Sequence, residues 1–267
     1  MRTILFIITI LTIGCSPKYY VTNTQNIPIM TTKGQTNLGI GINGSEYTKG
    51  FEIQAAHAIT NHIALQLNGD WVKKSNDGYL SDAPEDLKVK GQMLEIGAGY
   101  FKNFSSNFVF ETYGLFCFGT MDLENNSSGI DSFSAKFNRF GIQPSLSYVR
   151  KHFSTSLSSR FVHLKYKDID GNSDSGYFAP NFLKTNNAYW LLEPAITIQF
   201  GWENLKLQLQ YVHSFNLTDP SFEQEREIIS LGLKLNIKPN RNEKHKTYQE
   251  KTSFKTSSDF GFLNPSK

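Results

Sequence analysis

Few residues in this chain have the type and spacing for covalent chemistry. His163, and His213-Ser214 with Asp219 nearby, are the places where a base, a hydroxyl and an acid come close in sequence. A nucleophile and its base must share one face within hydrogen-bond reach. His213 and Ser214 are neighbours, and neighbours in an extended strand point to opposite sides, so a strand here would separate them. His213 also keeps the parity of Leu205, Leu207, Leu209 and Tyr211, which places it on an apolar face, and no catalytic residue is assigned. Asp168-Ile-Asp170-Gly-Asn172-Ser-Asp174 sets oxygen ligands at alternate positions, as at the start of a calcium loop. Ser173 stands where such a loop needs glycine and Ala179 where it needs a bidentate glutamate. A solvated acidic turn is the expected reading, with Asp168, Asp170, Asn172 and Asp174 as a weak calcium candidate; no other metal and no cofactor is expected.

The elements that must position these residues are strands. Between Thr36 and Ile237 apolar residues alternate with period two and nowhere sustain a helical spacing. Residues 61–72 put Ile63, Leu65, Leu67 and Trp71 on one face and Ala64, Gln66, Asn68 and Asp70 on the other. Runs of this kind fall at 36–43, 50–59, 62–73, 89–102, 107–120, 135–149, 152–166, 187–200, 204–215 and 226–237. Very short links follow the even-numbered runs. Longer ones follow the odd-numbered runs, at 74–88, 122–133, 168–185 and 218–225, the first odd link at 44–49 excepted. An even strand count with turns at one rim and loops at the other predicts an all-β, antiparallel, up-and-down transmembrane β-barrel of about ten strands, with eight as the alternative count. Pro144 and Pro194 fall mid-strand, where a local bulge is expected to absorb each.

Composition agrees with a membrane barrel. The chain has 267 residues, 21 Phe and 12 Tyr, yet only 39% hydrophobic residues, and a mean hydropathy of −0.36. Aromatics turned to lipid around a polar lumen account for that mixture. A soluble barrel tethered by lipid would instead turn the apolar faces inward. Strand parity then assigns Glu52, Glu95, Glu111, Arg139, Arg160, Glu193, Lys206 and Lys234 to a lumenal polar network, in which opposite charges must neutralise one another.

The flanks complete the domain plan. Arg2 and the apolar run Ile4–Ile13 form a signal peptide over 1–14, too short to span as a helix. Thr12-Ile13-Gly14-Cys15 looks like the lipobox of bacterial lipoproteins, which implies that Cys15 carries lipid. Cys117 then has no partner, so no disulfide framework is expected. Residues 15–35 are expected to be a periplasmic linker, 36–237 the barrel and 238–267 a basic periplasmic tail. The formal charge of +3 is too near neutral to argue for nucleic acid.

Cys15-Ser-Pro-Lys-Tyr-Tyr, Asn26-Ile-Pro, Thr32-Lys-Gly and Gly50-Phe-Glu-Ile-Gln-Ala-Ala-His-Ala-Ile-Thr-Asn-His-Ile-Ala are similar to an uncharacterised family of Gram-negative outer-membrane β-barrel lipoproteins. The resemblance implies location and fold and supplies no site residue. The expected role is a structural or interaction barrel, with a small-solute channel and a lipid-modifying enzyme as alternatives. Its partners would be outer-membrane lipid and an outside partner at loops 74–88 and 168–185. The even strand count places both termini, and the lipid, on the periplasmic side.

Overall fold

Alternating side chains leave each strand one apolar and one polar face, and only a closed sheet can bury the polar faces together while pairing every edge. The computed structural model describes residues 18–46, 48–74, 87–125, 131–171 and 180–239, and within them that closure is complete. Short strand β1 (Tyr20–Val21) precedes β2 (Thr36–Gly44), β3 (Thr48–Ala58), β4 (Ile63–Lys74), β5 (Leu87–Asn103), β6 (Phe108–Asn125), β7 (Asp131–Val149) and β8 (Phe153–Gly171). A short helix, α1 (Pro180–Thr185), leads to β9 (Ala188–Gly201), β10 (Leu205–His213), the fragments β11 (Phe215–Asn216) and β12 (Gln224–Glu225), and β13 (Glu227–Ile237). Strands β2 to β10 pair antiparallel in chain order, and β13 lies between β10 and β2 to close a ten-stranded ring. The expected ten-stranded up-and-down barrel is therefore the observed fold.

Apolar side chains face outward, which excludes a soluble barrel with its apolar faces turned in. On β13 the five outward positions Ile229, Leu231, Leu233, Leu235 and Ile237 are all exposed, and they cover roughly 20–25 Å of membrane at the usual strand rise and tilt. Leu231 lies in register with Leu209 on one side and Ile42 on the other, and Ile42 with Phe51, so the apolar rows run continuously from strand to strand.

Strands β6, β7 and β8 run for 18, 19 and 19 residues, well beyond the 9–11 or so needed to cross a membrane. They stand above the apolar belt on the loop side and take up parts of the segments 122–133 and 168–185 expected as loops. The expected bulges at Pro144 and Pro194 are absent. Pro144 stays in register with Thr112 and Pro194 with Ser159; on its other side each proline interrupts a ladder that resumes unshifted, at Ser145 and at Phe215. A missing N–H removes one bridge without requiring an extra residue. The register shift in this region lies instead between Ser134 and Lys136.

Residues 18–35 depart most from expectation. They are no outside linker but run through the barrel. Lys18 pairs with Glu223 at 2.9 Å on the loop side, whereas Gly34 donates its N–H to the Ala58 carbonyl at 2.7 Å on the turn side. Thr36 and Ile237 share the turn rim, as an even strand count requires. The described chain nevertheless begins at one rim and ends, at Pro239, at the other. Residues 1–14, Cys15, most of the 238–267 tail and the 75–86 part of the first long loop lie outside the described residues.

The outward face is open to a direct test. Leu233→Arg, near the middle of the β13 belt, should cost roughly 2–4 kcal/mol in unfolding from lipid vesicles, as a charge on the lipid face does. Leu233→Ala should cost much less.

Candidate functional site

The lumen is filled by side chains of the wall meeting an extended segment of the same chain. From Tyr19 to Thr32 that segment carries no charged residue, and residues 19–30 are buried throughout. Its backbone lacks a regular ladder, so the inward side chains of the wall take that place. Gln210 accepts from the Gln25 N–H at 2.6 Å and donates to the Gln25 carbonyl at 2.9 Å, so one side-chain amide acts as a neighbouring strand would. Gln143 donates to the Asn26 carbonyl at 2.9 Å. Such substitutes are needed because an unpaired buried backbone group costs about as much as a lost hydrogen bond.

Four charged residues form the centre. Arg160 and Glu193 face each other in register on β8 and β9 and meet at 2.6 Å. Glu95 and Arg139 lie on β5 and β7, with Cys117 of β6 between them in the same lateral row. The small thiol leaves the path clear, and Arg139 reaches Glu95 at 2.6 Å. Arg160 closes the group at 3.6 Å from Glu95. Both arginines are essentially buried, at 2% and 0% exposure. The segment supplies what the wall does not: Asn23 Oδ1 accepts from Arg139 at 2.8 Å and from Arg160 at 2.7 Å. The Tyr20 hydroxyl accepts from Arg139 at 2.5 Å and donates to Glu193 at 2.9 Å.

Further contacts hold the segment toward the turn side. Glu52 accepts from Thr24, and Lys234 donates to Gln54 and, at 3.0 Å, to Asn26. Glu111 accepts the N–H groups of Ile29 and Met30, each at 3.0 Å. Ile29 has φ of 55°, a left-handed conformation unusual for a β-branched residue, and the Glu111 carboxylate clamps both amides at that corner. Lys206 stands apart from the network, half-buried at the turn-side mouth and 3.3 Å from Ser154.

An aromatic cluster closes the loop side. Tyr19 contacts Phe133, Phe182 and Phe222, and Tyr189 stacks on Phe222 with ring centroids 3.8 Å apart. Gly119 makes room for the Phe137 ring below this cluster, since a Cβ there would approach it to 2.1 Å.

The remaining candidates are not brought together. Outward-facing His213 contacts Glu227 at 3.3 Å and packs on Phe215, while Ser214 is buried on the other side, 3.4 Å from Glu193. His163 packs between Phe140 and Trp190. Asp219 accepts from the Ser221 hydroxyl at 2.5 Å. Of the calcium candidates, Asp168 pairs with Lys136 at 3.1 Å and Asp170 accepts from the Gly171 N–H at 2.9 Å, both on β8 rather than in a loop. Asn172 and Asp174 lie outside the described residues. Among the described residues no three His, Cys, Asp or Glu side chains are placed to hold a metal.

Fold and lumen together define a transmembrane β-barrel filled by its own N-terminal segment. No family model and no curated protein matches the chain. Among solved structures it is similar to the KdgM porin, at 10% identity over 76% of this chain and 99% of that one, with a TM-score of 0.37. The translocator domain of autotransporter NalP from Neisseria meningitidis is 8% identical over 79% and 90%, with a TM-score of 0.45. LpxR from Salmonella typhimurium is 9% identical over 74% and 99%, with a TM-score of 0.37. These likenesses are of the barrel shape; the interior described above is read from this chain's own side chains.

Removing one partner of a buried pair leaves the other charge uncompensated. Arg139→Met should therefore destabilise the folded barrel by roughly 3–5 kcal/mol in urea unfolding. The double variant with Glu95→Gln should recover much of that loss.

Proposed function

We propose that this chain is a lipid-anchored outer-membrane barrel of structural or interaction type, closed to solutes by its own N-terminal segment. The observation that carries the reading is the passage of residues 18–35 along the lumen, hydrogen-bonded to inward residues of most strands. A conducting pore would need the space this segment occupies, so the channel reading is the weaker one. A lipid-modifying enzyme gains no support from His163, His213, Ser214 and Asp219, which stay apart.

The direction of the segment also changes where the lipid belongs. Cys15 precedes Lys18 by three residues, a reach of about 10 Å at full extension, and Lys18 sits at the loop rim. The acyl group of a lipidated Cys15 thus enters the leaflet on the loop side. With the short turns periplasmic, that leaflet is the outer one, and only the C-terminal end is periplasmic. The outside surface then combines the anchored N-terminus with the loops around 74–88 and 168–185, where an outside partner would bind.

Two measurements test this. In planar bilayers the full chain should give no stepwise conductance, and a variant lacking residues 18–33 should conduct; steady channels from the intact chain would remove the proposal. An epitope inserted between Ser16 and Lys18 should be accessible to antibody on intact cells. Detection only after permeabilisation would return the N-terminus to the periplasm.

A further inference from the structure

The interior holds more negative than positive charge. Along the wall strands five buried acids, Glu52, Asp70, Glu95, Glu111 and Glu193, share the lumen with three buried cations, Arg139, Arg160 and Lys234. Arg139 is committed to Glu95 and Arg160 to Glu193, each at 2.6 Å. That leaves one ammonium, Lys234, against three carboxylates. Glu111 is occupied by the Ile29 and Met30 amides, and Lys234 donates to Gln54 and Asn26. Glu52 and Asp70 make no ion pair among the described residues. The loop-side segments 75–86, 126–130 and 172–179, which lie outside the described residues, contain no lysine or arginine.

The two acids are also neighbours. Glu52 on β3 is directly opposite Asp70 on β4, and each is 3% exposed. Like charges in that position destabilise a sheet, and burial removes the water that would screen them. Asn43 of β2, 6% exposed, reaches into the gap between them: its Nδ2 donates to Asp70 at 3.0 Å and to Glu52 at 3.5 Å. One neutral amide does not offset two carboxylates. Oδ1 of Asp70 and Oδ1 of Asn43 are buried and accept no hydrogen bond, an arrangement that carries the full desolvation penalty of each oxygen. Ser230, in register with Asn43, brings a buried hydroxyl to the same corner, and Thr24 of the N-terminal segment donates to Glu52.

We infer that Glu52 and Asp70, with Asn43, form a calcium site at the loop-side end of the lumen. Its donors are carboxylate, amide and hydroxyl oxygens, which suit a hard cation. Calcium accepts six to eight or so such oxygens in an irregular shell, whereas magnesium demands octahedral geometry and keeps its waters. The double charge of the ion balances the two carboxylates, and the Asn43 amide, turned end for end, offers it Oδ1. A hollow of about 740 Å³ bordered by Asn43, Gly50, Val72 and Gly91 gives access. The ligands come from wall strands, so the site stands whether or not the intact chain conducts.

The test uses the full-length protein in detergent micelles, stripped with EDTA and titrated with calcium, magnesium or sodium chloride by calorimetry, with melting temperature followed in parallel. Wild type should bind calcium and melt higher with it. Asp70→Asn and, separately, Glu52→Gln should each bind calcium roughly tenfold or more weakly, since each removes one ligand charge, and should lose the calcium-dependent rise in melting. In EDTA both should melt no lower than wild type, because the buried like-charge pair is gone. The control Asp168→Asn/Asp170→Asn, which removes acids of β8 at the rim, should behave as wild type. Absence of calcium binding in wild type, undiminished binding in both site variants, or equal loss in the control overturns the site. An equal response to magnesium or sodium at the same concentration would show general charge screening and overturn it as well.

Discussion

The inner wall of this barrel presents more polar groups than it can satisfy by itself, and the rest of the structure depends on that constraint. Glu95, Arg139, Arg160 and Glu193 are all buried and neutralise one another in pairs, yet a guanidinium has five donors in a fixed fork. Strand-to-strand contacts cannot use them all. Asn23 and Tyr20 enter from the N-terminal segment and accept from three of the donor nitrogens: Arg139 Nη1 and Nη2 and Arg160 Nη2. A buried charge without such partners would be strongly destabilising.

The segment is under the same constraint from the other direction. An extended chain crossing a space enclosed by the wall must find partners for its amides and carbonyls, and it finds them in Gln143, Gln210, Arg160 and Glu111. Wall and segment are thus two halves of one hydrogen-bonded interior. The left-handed corner at Ile29 makes the point locally. Directly after Pro28 the chain turns, and one carboxylate receives the two amides that the turn exposes.

That shared interior connects lumen to topology. A barrel with an even number of strands brings both ends of its sheet to one rim, but a segment that fills the lumen must cross to the opposite rim. Filling the lumen and bringing Lys18 to the loop side are consequences of the same contacts. The aromatic cluster around Tyr19 and Phe222 adds apolar burial where the chain emerges.

Much of this was legible in the sequence, because period-two alternation is a local property. It located ten strands, and it separated the outward Leu205, Leu207 and Leu209 from the inward Gln208 and Gln210. It also assigned an inward face to Glu95, Arg139, Arg160 and Glu193, and opposite faces to His213 and Ser214. The N-terminal segment was not read as part of the interior, although fourteen successive residues without a charge, Tyr19 to Thr32, are unusual in a solvated linker. Asn23, Thr24 and Gln25 are polar enough to pass for linker residues, and nothing local tells a hydrogen bond to water from one to a distant strand. The sequence by itself determined strand number, face and closure. Only the tertiary structure decided that Glu95 reaches Arg139 past Cys117, and that Lys18 and Pro239 stand at opposite rims. Those features depend on register between strands and on a contact between residues 23 and 160, and local alternation encodes neither.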